Sequence, residues 1–288
     1  MEENTKEKSK ERLKIIEKIE NLEREGKFDV DPEEDPPTIP LMPDKVDYLD
    51  EKLSSKFKTK IANFVGERFL NSIIKDKKLI IKEIKGLEYI KELKSGAIIT
   101  CNHFNPFDSF AVEYAFKEAG LLKSKKLYKI IREGNYTNFP GLYGFFFRNC
   151  DTLPLSSNMD TMAKFLEAVK VILKRGDNIL IYPEQSMWWN YKKPKPLKDG
   201  AFKLASKNNV PIVPIFITMK ESDIIGEDGF NIMQYYINIK KPIYPEEKLS
   251  PKKNAKIMKE KNFDIWKNVY ENFYNMPLEY NFVKEELK

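Results

Sequence analysis

Between residues 80 and 239 the chain alternates short apolar runs with longer amphipathic segments, and this alternation restricts it to a sheet with helices packed against it. Strands are expected over 80–84, 97–101, 127–131, 152–155, 178–181, 212–218 and 235–239. Helices are expected over 108–119, 139–147, 158–175, 200–208 and, after the last strand, 250–274. The fold class is therefore α/β, a mixed central sheet flanked by helices. No internal repeat is evident.

The segments before the sheet differ in kind. A highly charged helix is expected over 6–26, with Leu13, Ile16, Ile19 and Leu22 at helical spacing and Gly26 to end it. The acidic, proline-rich stretch 29–43 reads as an extended connector, because each proline lacks a donor and restricts the residue before it. Residues 1–50 are thus expected to form an arm packed along a main domain over 51–288, or else a tail for a partner. A second amphipathic helix over 54–75 carries Phe57, Ile61, Phe64, Val65 and Phe69 beside Lys56, Lys58, Lys60 and Arg68. Such a face suits either a core or an anionic lipid interface.

Composition excludes whole classes. With 41% hydrophobic and 33% charged residues, the chain is neither disordered nor a multi-span membrane protein. Its formal charge of +6 favours anionic surfaces, but the basic residues are mixed with acids and no nucleic-acid reading motif stands out. No run approaches the roughly 20 apolar residues that cross a bilayer. The N-terminal residues include no apolar leader, so an intracellular chain is expected. Cys101 and Cys150 stand far apart, and with a single histidine they provide no zinc ligand set, so a zinc site is not expected.

That histidine, His103, follows an expected strand in Asn102-His103-Phe104-Asn105-Pro106-Phe107-Asp108. A carboxylate five residues on can turn back to accept from Nδ1, leaving Nε2 as a base for a hydroxyl or thiol. The same residues also suit an ordinary loop histidine followed by an N-capping aspartate. A second strand leads into Tyr182-Pro183-Glu184-Gln185-Ser186-Met187-Trp188-Trp189. There Glu184 can receive a substrate hydroxyl or organise the loop, and the tryptophans offer a flat apolar wall.

Together these motifs resemble those of glycerolipid acyltransferases, the family that includes the 1-acylglycerol-3-phosphate acyltransferases. His103 and Asp108 match the family's His-x-x-x-x-Asp motif, Tyr182-Pro183-Glu184 resembles its Pro-Glu-Gly block, and Val210-Pro211-Ile212-Val213-Pro214 resembles its last proline block. Lys198-Asp199-Gly200-Ala201 falls where a Lys-x-Gly-Ala stretch is expected, and the likeness covers about 97–217. It implies a glycerolipid acyltransferase-like fold and transfer of a fatty acyl group from coenzyme A or acyl carrier protein to a lipid hydroxyl by direct attack. His103 would be the base and Asp108 its orienting partner, with no covalent enzyme intermediate, no metal and no bound cofactor, the acyl thioester being a cosubstrate. Cys101 would then be a packing residue. Asn105, Arg148, Pro183, Glu184, Gln185, Ser186 and Trp188 are the expected substrate contacts. The implied partners are a lipid acceptor, an acyl thioester donor and the cytoplasmic face of a membrane, met from one side.

The departures from the family concern phosphate. Where phosphate-binding members carry an arginine in their second block, alignment through Thr152-Leu153-Pro154-Leu155 puts Ser156 and Ser157. Pro-Glu-Gly-Thr-Arg becomes Pro183-Glu184-Gln185-Ser186-Met187, so a second arginine is also missing. Neither serine nor methionine replaces a bidentate guanidinium. Arg132, Arg148, Lys192, Lys193 and Lys195 are candidates to restore phosphate binding, with Arg148 foremost. Trp188, Trp189 and Tyr191 are alternatives for a sugar or an acyl chain. The expected acceptor is 1-acylglycerol-3-phosphate, with a neutral or glycosylated lipid as the alternative. A hydrolase lacks its Gly-x-Ser-x-Gly elbow here, and a noncatalytic lipid-binding protein is the remaining class.

Overall fold

Ile98 and Ile99 are both fully buried, yet they belong to different cores. Successive strand residues point to opposite faces, so a sheet covered on both sides needs continuous apolar runs. The computed structural model, which describes residues 7–33 and 38–282, shows this arrangement. The strands are β1 (Ile80–Lys85), β2 (Ile98–Thr100), β3 (Leu127–Ile131), β4 (Thr152–Pro154), β5 (Asn178–Ile181), β6 (Ile212–Ile225) and β7 (Asn231–Ile239). The helices are α1 (Lys10–Arg24), α2 (Leu53–Lys75), α3 (Leu87–Lys91), α4 (Asp108–Glu118), α5 (Glu133–Thr137), α6 (Gly141–Asn149), α7 (Met159–Lys174), α8 (Gly200–Lys207) and α9 (Pro251–Tyr274).

The strands form one sheet in the order β1-β7-β6-β2-β5-β3-β4. Neighbours run parallel except β6 and β7, so the sheet is mixed. On one face Ile98, Ile179, Ile181, Ile212 and Phe216 pack with α7, α8 and α9. On the other Ile99, Leu180, Val213, Ile215 and Ile217 pack with α2, α3 and α4. The expected fold class is therefore the observed one.

The topology locates a crevice. β2 and β5 are adjacent and parallel, but α4 after β2 lies on one face and α8 after β5 on the other. Loops diverging from neighbouring strand ends leave an opening between them, where ligands bind in open α/β sheets. Thr100 pairs with Ile181, so three residues further along each chain His103 stands opposite Glu184.

Several boundaries differ from the expectations. β6 runs to Ile225 and β7 starts at Asn231, because their distal halves pair with each other as a hairpin beyond the buried part of the sheet. The short helices α3 and α5 were not expected. The sixth helix begins at Gly141, with Phe139 and Pro140 outside it. Of the arm, α1 covers Lys10–Arg24, while Lys6 and residues 34–37 of the acidic connector lie outside the described residues. Ile19 and Leu22 of α1 pack with Phe28 and Trp188, so α1 lies against the chain rather than apart from it.

Candidate active site

Asn102 aims the first loop. Its side chain reads both main-chain groups of Ile217 on β6, donating to the carbonyl at 3.0 Å and accepting from the amide at 2.8 Å. The next residue, His103, is thereby carried to the crevice with its side chain 23% exposed. Its Nδ1 lies 2.7 Å from Asp108 Oδ2. Asp108 is only 1% exposed, and both its oxygens are engaged. Oδ2 also accepts from the amides of Phe104 at 3.1 Å and Asn105 at 3.4 Å, while Oδ1 accepts from the Tyr182 hydroxyl at 2.7 Å. The capping alternative is not what forms: Phe107 is the N-cap, and Asp108 is the first helical residue with its carboxylate turned back into the loop. A carboxylate there also gains from the helix dipole. With Asp108 accepting from Nδ1–H, the histidine is held in the tautomer whose Nε2 can receive a proton.

Tyr182, which motif reading passed over, completes this constellation. Its ring stacks on His103 with centroids 4.1 Å apart and planes at 18°. Burial, and then the charge of Asp108, push its hydroxyl well above the ordinary tyrosine pKa, so it remains a donor. Its place immediately before Pro183-Glu184 was the only sequence signal for it. Cys101 is fully buried, and burial first, with Asp108 and Glu184 adding, raises its thiol well above the usual value. It is therefore no ready thiolate nucleophile, as its packing role requires.

The second loop is tied to the first through Glu184. Its Oε2 accepts from His103 N at 2.9 Å and its Oε1 from Lys195 N at 2.8 Å. Trp188 N donates to the His103 carbonyl at 3.3 Å and Asn190 N to that of Phe104 at 2.8 Å. Of the two readings of Glu184, loop organiser is the one its bonds support. Lys195 is 1% exposed; its Nζ donates to Ser186 O at 2.7 Å and Ser186 Oγ at 2.8 Å and lies 3.8 Å from Glu184. Burial pushes both groups toward their neutral forms, Glu184 upward and Lys195 downward to about 8. Gln185, exposed at the turn, has a φ of 68°. Glycine adopts that conformation freely, which rationalises a glycine at the matching position of a Pro-Glu-Gly block.

Other expected contacts are placed elsewhere. Trp188 is 0% exposed, with Phe28 stacked on it at 5.5 Å and its Nε1 donating to Val30 O at 2.9 Å. It is the core of the arm-to-loop contact, not a wall for substrate. Ser186 Oγ is buried and donates to Phe28 O at 2.6 Å. Arg148 uses Nη1 on the carbonyls of Tyr136 at 3.0 Å and Phe139 at 3.1 Å, fastening α5 to α6. Lys193 pairs with Glu23 at 2.6 Å. Ser156 Oγ lies 2.8 Å from Glu133 Oε1 and 3.0 Å from the Leu41 carbonyl, and Ser157 N donates to the same Glu133. Brought together, then, are His103, Asp108, Tyr182, Glu184, and Asn105 through its 3.3 Å bond to Asn190. Pro183 and Gln185 belong to the same loop, where Pro183 O accepts from Lys198 N at 2.8 Å. Among the described residues, no cluster of three or more His, Cys, Asp or Glu is placed to hold a metal, and no helix is long and apolar enough to cross a membrane.

Residues 82–218 match the family model described as Acyltransferase. The 1-acyl-sn-glycerol-3-phosphate acyltransferase of Saccharomyces cerevisiae is 28% identical over 155 residues, which cover 53% of this chain and 49% of that protein. The match thus spans about half the length of that relative. The crystal structure of the 1-acyl-sn-glycerophosphate acyltransferase from Thermotoga maritima superposes with a TM-score of 0.51 at 18% identity, covering 78% of this chain and 83% of that one. At that identity the likeness is one of fold.

Proposed function

We propose that the chain is a glycerolipid acyltransferase, transferring a fatty acyl group from an acyl thioester to the hydroxyl of a lipid acceptor, a reading supported by the Acyltransferase match over residues 82–218 and by the yeast relative. The observation that carries this reading is the His103–Asp108 contact at 2.7 Å, backed by Tyr182 and opening on the crevice between β2 and β5. His103 Nε2 takes the acceptor's proton as its oxygen attacks the thioester carbonyl. The tetrahedral intermediate collapses, the C–S bond breaks, and the departing thiolate takes the proton back from the imidazolium. The Asp108 carboxylate, in contact with Nδ1, steadies that imidazolium. Coenzyme A and acyl carrier protein thioesters are the donor classes.

The names of the relatives support a lysophosphatidate acceptor. A neutral or glycosylated acceptor is the second reading, favoured because Ser156 and Ser157 stand where a phosphate-binding arginine is expected and are bound to Glu133. The purified chain, supplied with an acyl-CoA or an acylated carrier protein and with phosphorylated, neutral and glycosylated lysolipids in vesicles, is expected to release thiol and acylated lipid in equal amounts. Thiol release independent of acceptor would point to hydrolysis, and neither product to a noncatalytic lipid-binding role.

Such acceptors reside in bilayers, and the peripheral contact, at the cytoplasmic face, is assigned to α2. Leu53, Phe57, Ile61 and Phe64 recur along one side and are 83%, 66%, 40% and 58% exposed, with Lys56 and Lys60 exposed beside them. The double variant Phe57→Ser/Phe64→Ser is expected to weaken binding to anionic vesicles by about tenfold or more, since each buried Phe contributes roughly 1.5–3 kcal/mol. Cosedimentation measures this, and undiminished binding would remove α2 from the membrane contact.

A further inference from the structure

Arg132 stands at the C-terminal end of β3, on the same sheet edge as the dyad. Its guanidinium donates to Gln185 O at 3.0 Å and forms a close ion pair with Asp31 Oδ2, contributed by the segment after α1. The other oxygen of that carboxylate accepts from Met187 N at 3.0 Å. One carboxylate is thus gripped by a guanidinium and a main-chain amide, a donor set that equally suits a phosphate. This seat adjoins the reacting centre, because the loop supplying Met187 touches His103 through Glu184 and through Trp188.

Asp31 is held in place by its neighbours. Val30 O accepts from Trp188 Nε1 and Phe28 O from Ser186 Oγ, while Asp29 pairs with Lys198 at 2.7 Å. Nearby, Glu133 adds a second carboxylate. Although its burial works the other way, hydrogen bonds from Leu41, Ser156 and Ser157 keep its pKa below the usual carboxylate range. A phosphate carrying nearly two negative charges would meet these carboxylates where it needs a cation.

We propose that Asp31 is a specificity-determining residue: its carboxylate fills the anion seat formed by Arg132 and Met187 N–H, so the acceptor taken is a lipid whose headgroup is uncharged beside the reacting hydroxyl. This rests on acyl transfer with the neutral or glycosylated acceptor, the second of the two readings above, but the seat itself is testable without turnover. Inorganic phosphate is titrated calorimetrically into the full chain at neutral pH. Wild type is expected to show no saturation, whereas Asp31→Ala gains phosphate binding by about tenfold or more, and Asp31→Ala/Arg132→Gln loses the gain. Asp31→Ser, whose shorter side chain also vacates the seat, is the variant to use if the alanine chain does not fold. A neutralised stretch, Asp31→Ala with Glu33→Gln, Glu34→Gln and Asp35→Asn, is expected to gain at least as much. In the transfer assay the ratio of phosphorylated to uncharged acceptor use rises by a similar factor in the Asp31 variants.

Folded Asp31 variants that bind phosphate no better than wild type overturn the proposal, as does a wild-type chain that already binds it through Arg132. Wild type that transfers to no acceptor counts against acyl transfer instead and leaves the titration to decide Asp31.

Discussion

His103→Ala is expected to lower acyl transfer by at least about a thousandfold, the order of a lost general base. The protein should nevertheless fold. The imidazole is 23% exposed at the mouth of the crevice, and the Asp108 carboxylate it leaves behind still accepts from two amides and the Tyr182 hydroxyl. Glu184 binds the main-chain amide of residue 103, which survives the substitution. Thiol release from acyl-CoA reads the rate, and a melting curve together with near-UV dichroism reads the fold. A folded variant working within a few-fold of wild type would strip His103 of the base role. Because the sequence has one histidine, loss of activity that tracks the carbethoxyimidazole absorbance after diethyl pyrocarbonate treatment, and that hydroxylamine reverses, reports on this residue.

What the sequence disclosed follows from which interactions are local. β2 and β5 were legible because a strand covered on both faces must be apolar, as Ile98, Ile99, Ile179 and Leu180 are. The distal part of β6 was not, since Lys220, Glu221 and Asp223 sit on a hairpin with solvent on one side and break the run. Helices of five residues, α3 and α5, are too short for any periodicity to register. The dyad was legible because Asp108 reaches His103 through a single turn of loop, a distance that spacing constrains.

Trp188 was misread as a substrate wall for the opposite reason. Its covering partner, Phe28, lies in the arm, and the adjacent Ser186 bond to that residue spans 158 positions of chain. Lys195 likewise looked like a phosphate ligand until the fold enclosed it behind Glu184 and Trp188. Local pattern establishes that a side chain needs a partner; only the long-range pairing of the arm with the Pro183-Glu184 loop decides which. The same pairing explains why a segment outside the recognised motifs bears on the site. Phe28 and Asp31 are distant in sequence from the dyad, yet they pack directly on the loop that holds it.

Asp108→Asn is expected to reduce kcat/KM by roughly a thousandfold or more, as loss of the orienting carboxylate does in comparable dyads. The asparagine has two ways to fit. With its oxygen toward His103 it keeps the Phe104 and Asn105 amides, and its NH2 then meets the Tyr182 hydroxyl, which can turn to accept; what is lost is the negative charge that steadies the imidazolium. With its NH2 toward Nδ1 it imposes the tautomer whose Nε2 carries the hydrogen and cannot serve as base. Both fits impair the chemistry more than the binding, so KM should change little while kcat falls. Tyr182→Phe separates the contributions: it removes one hydrogen bond from Oδ1 and keeps the ring on His103, for an expected loss of about tenfold. If Asp108→Asn retained more than a tenth of wild-type turnover, its carboxylate would be a loop fastener, and the closeness of Asp108 to His103 would be a consequence of how α4 begins.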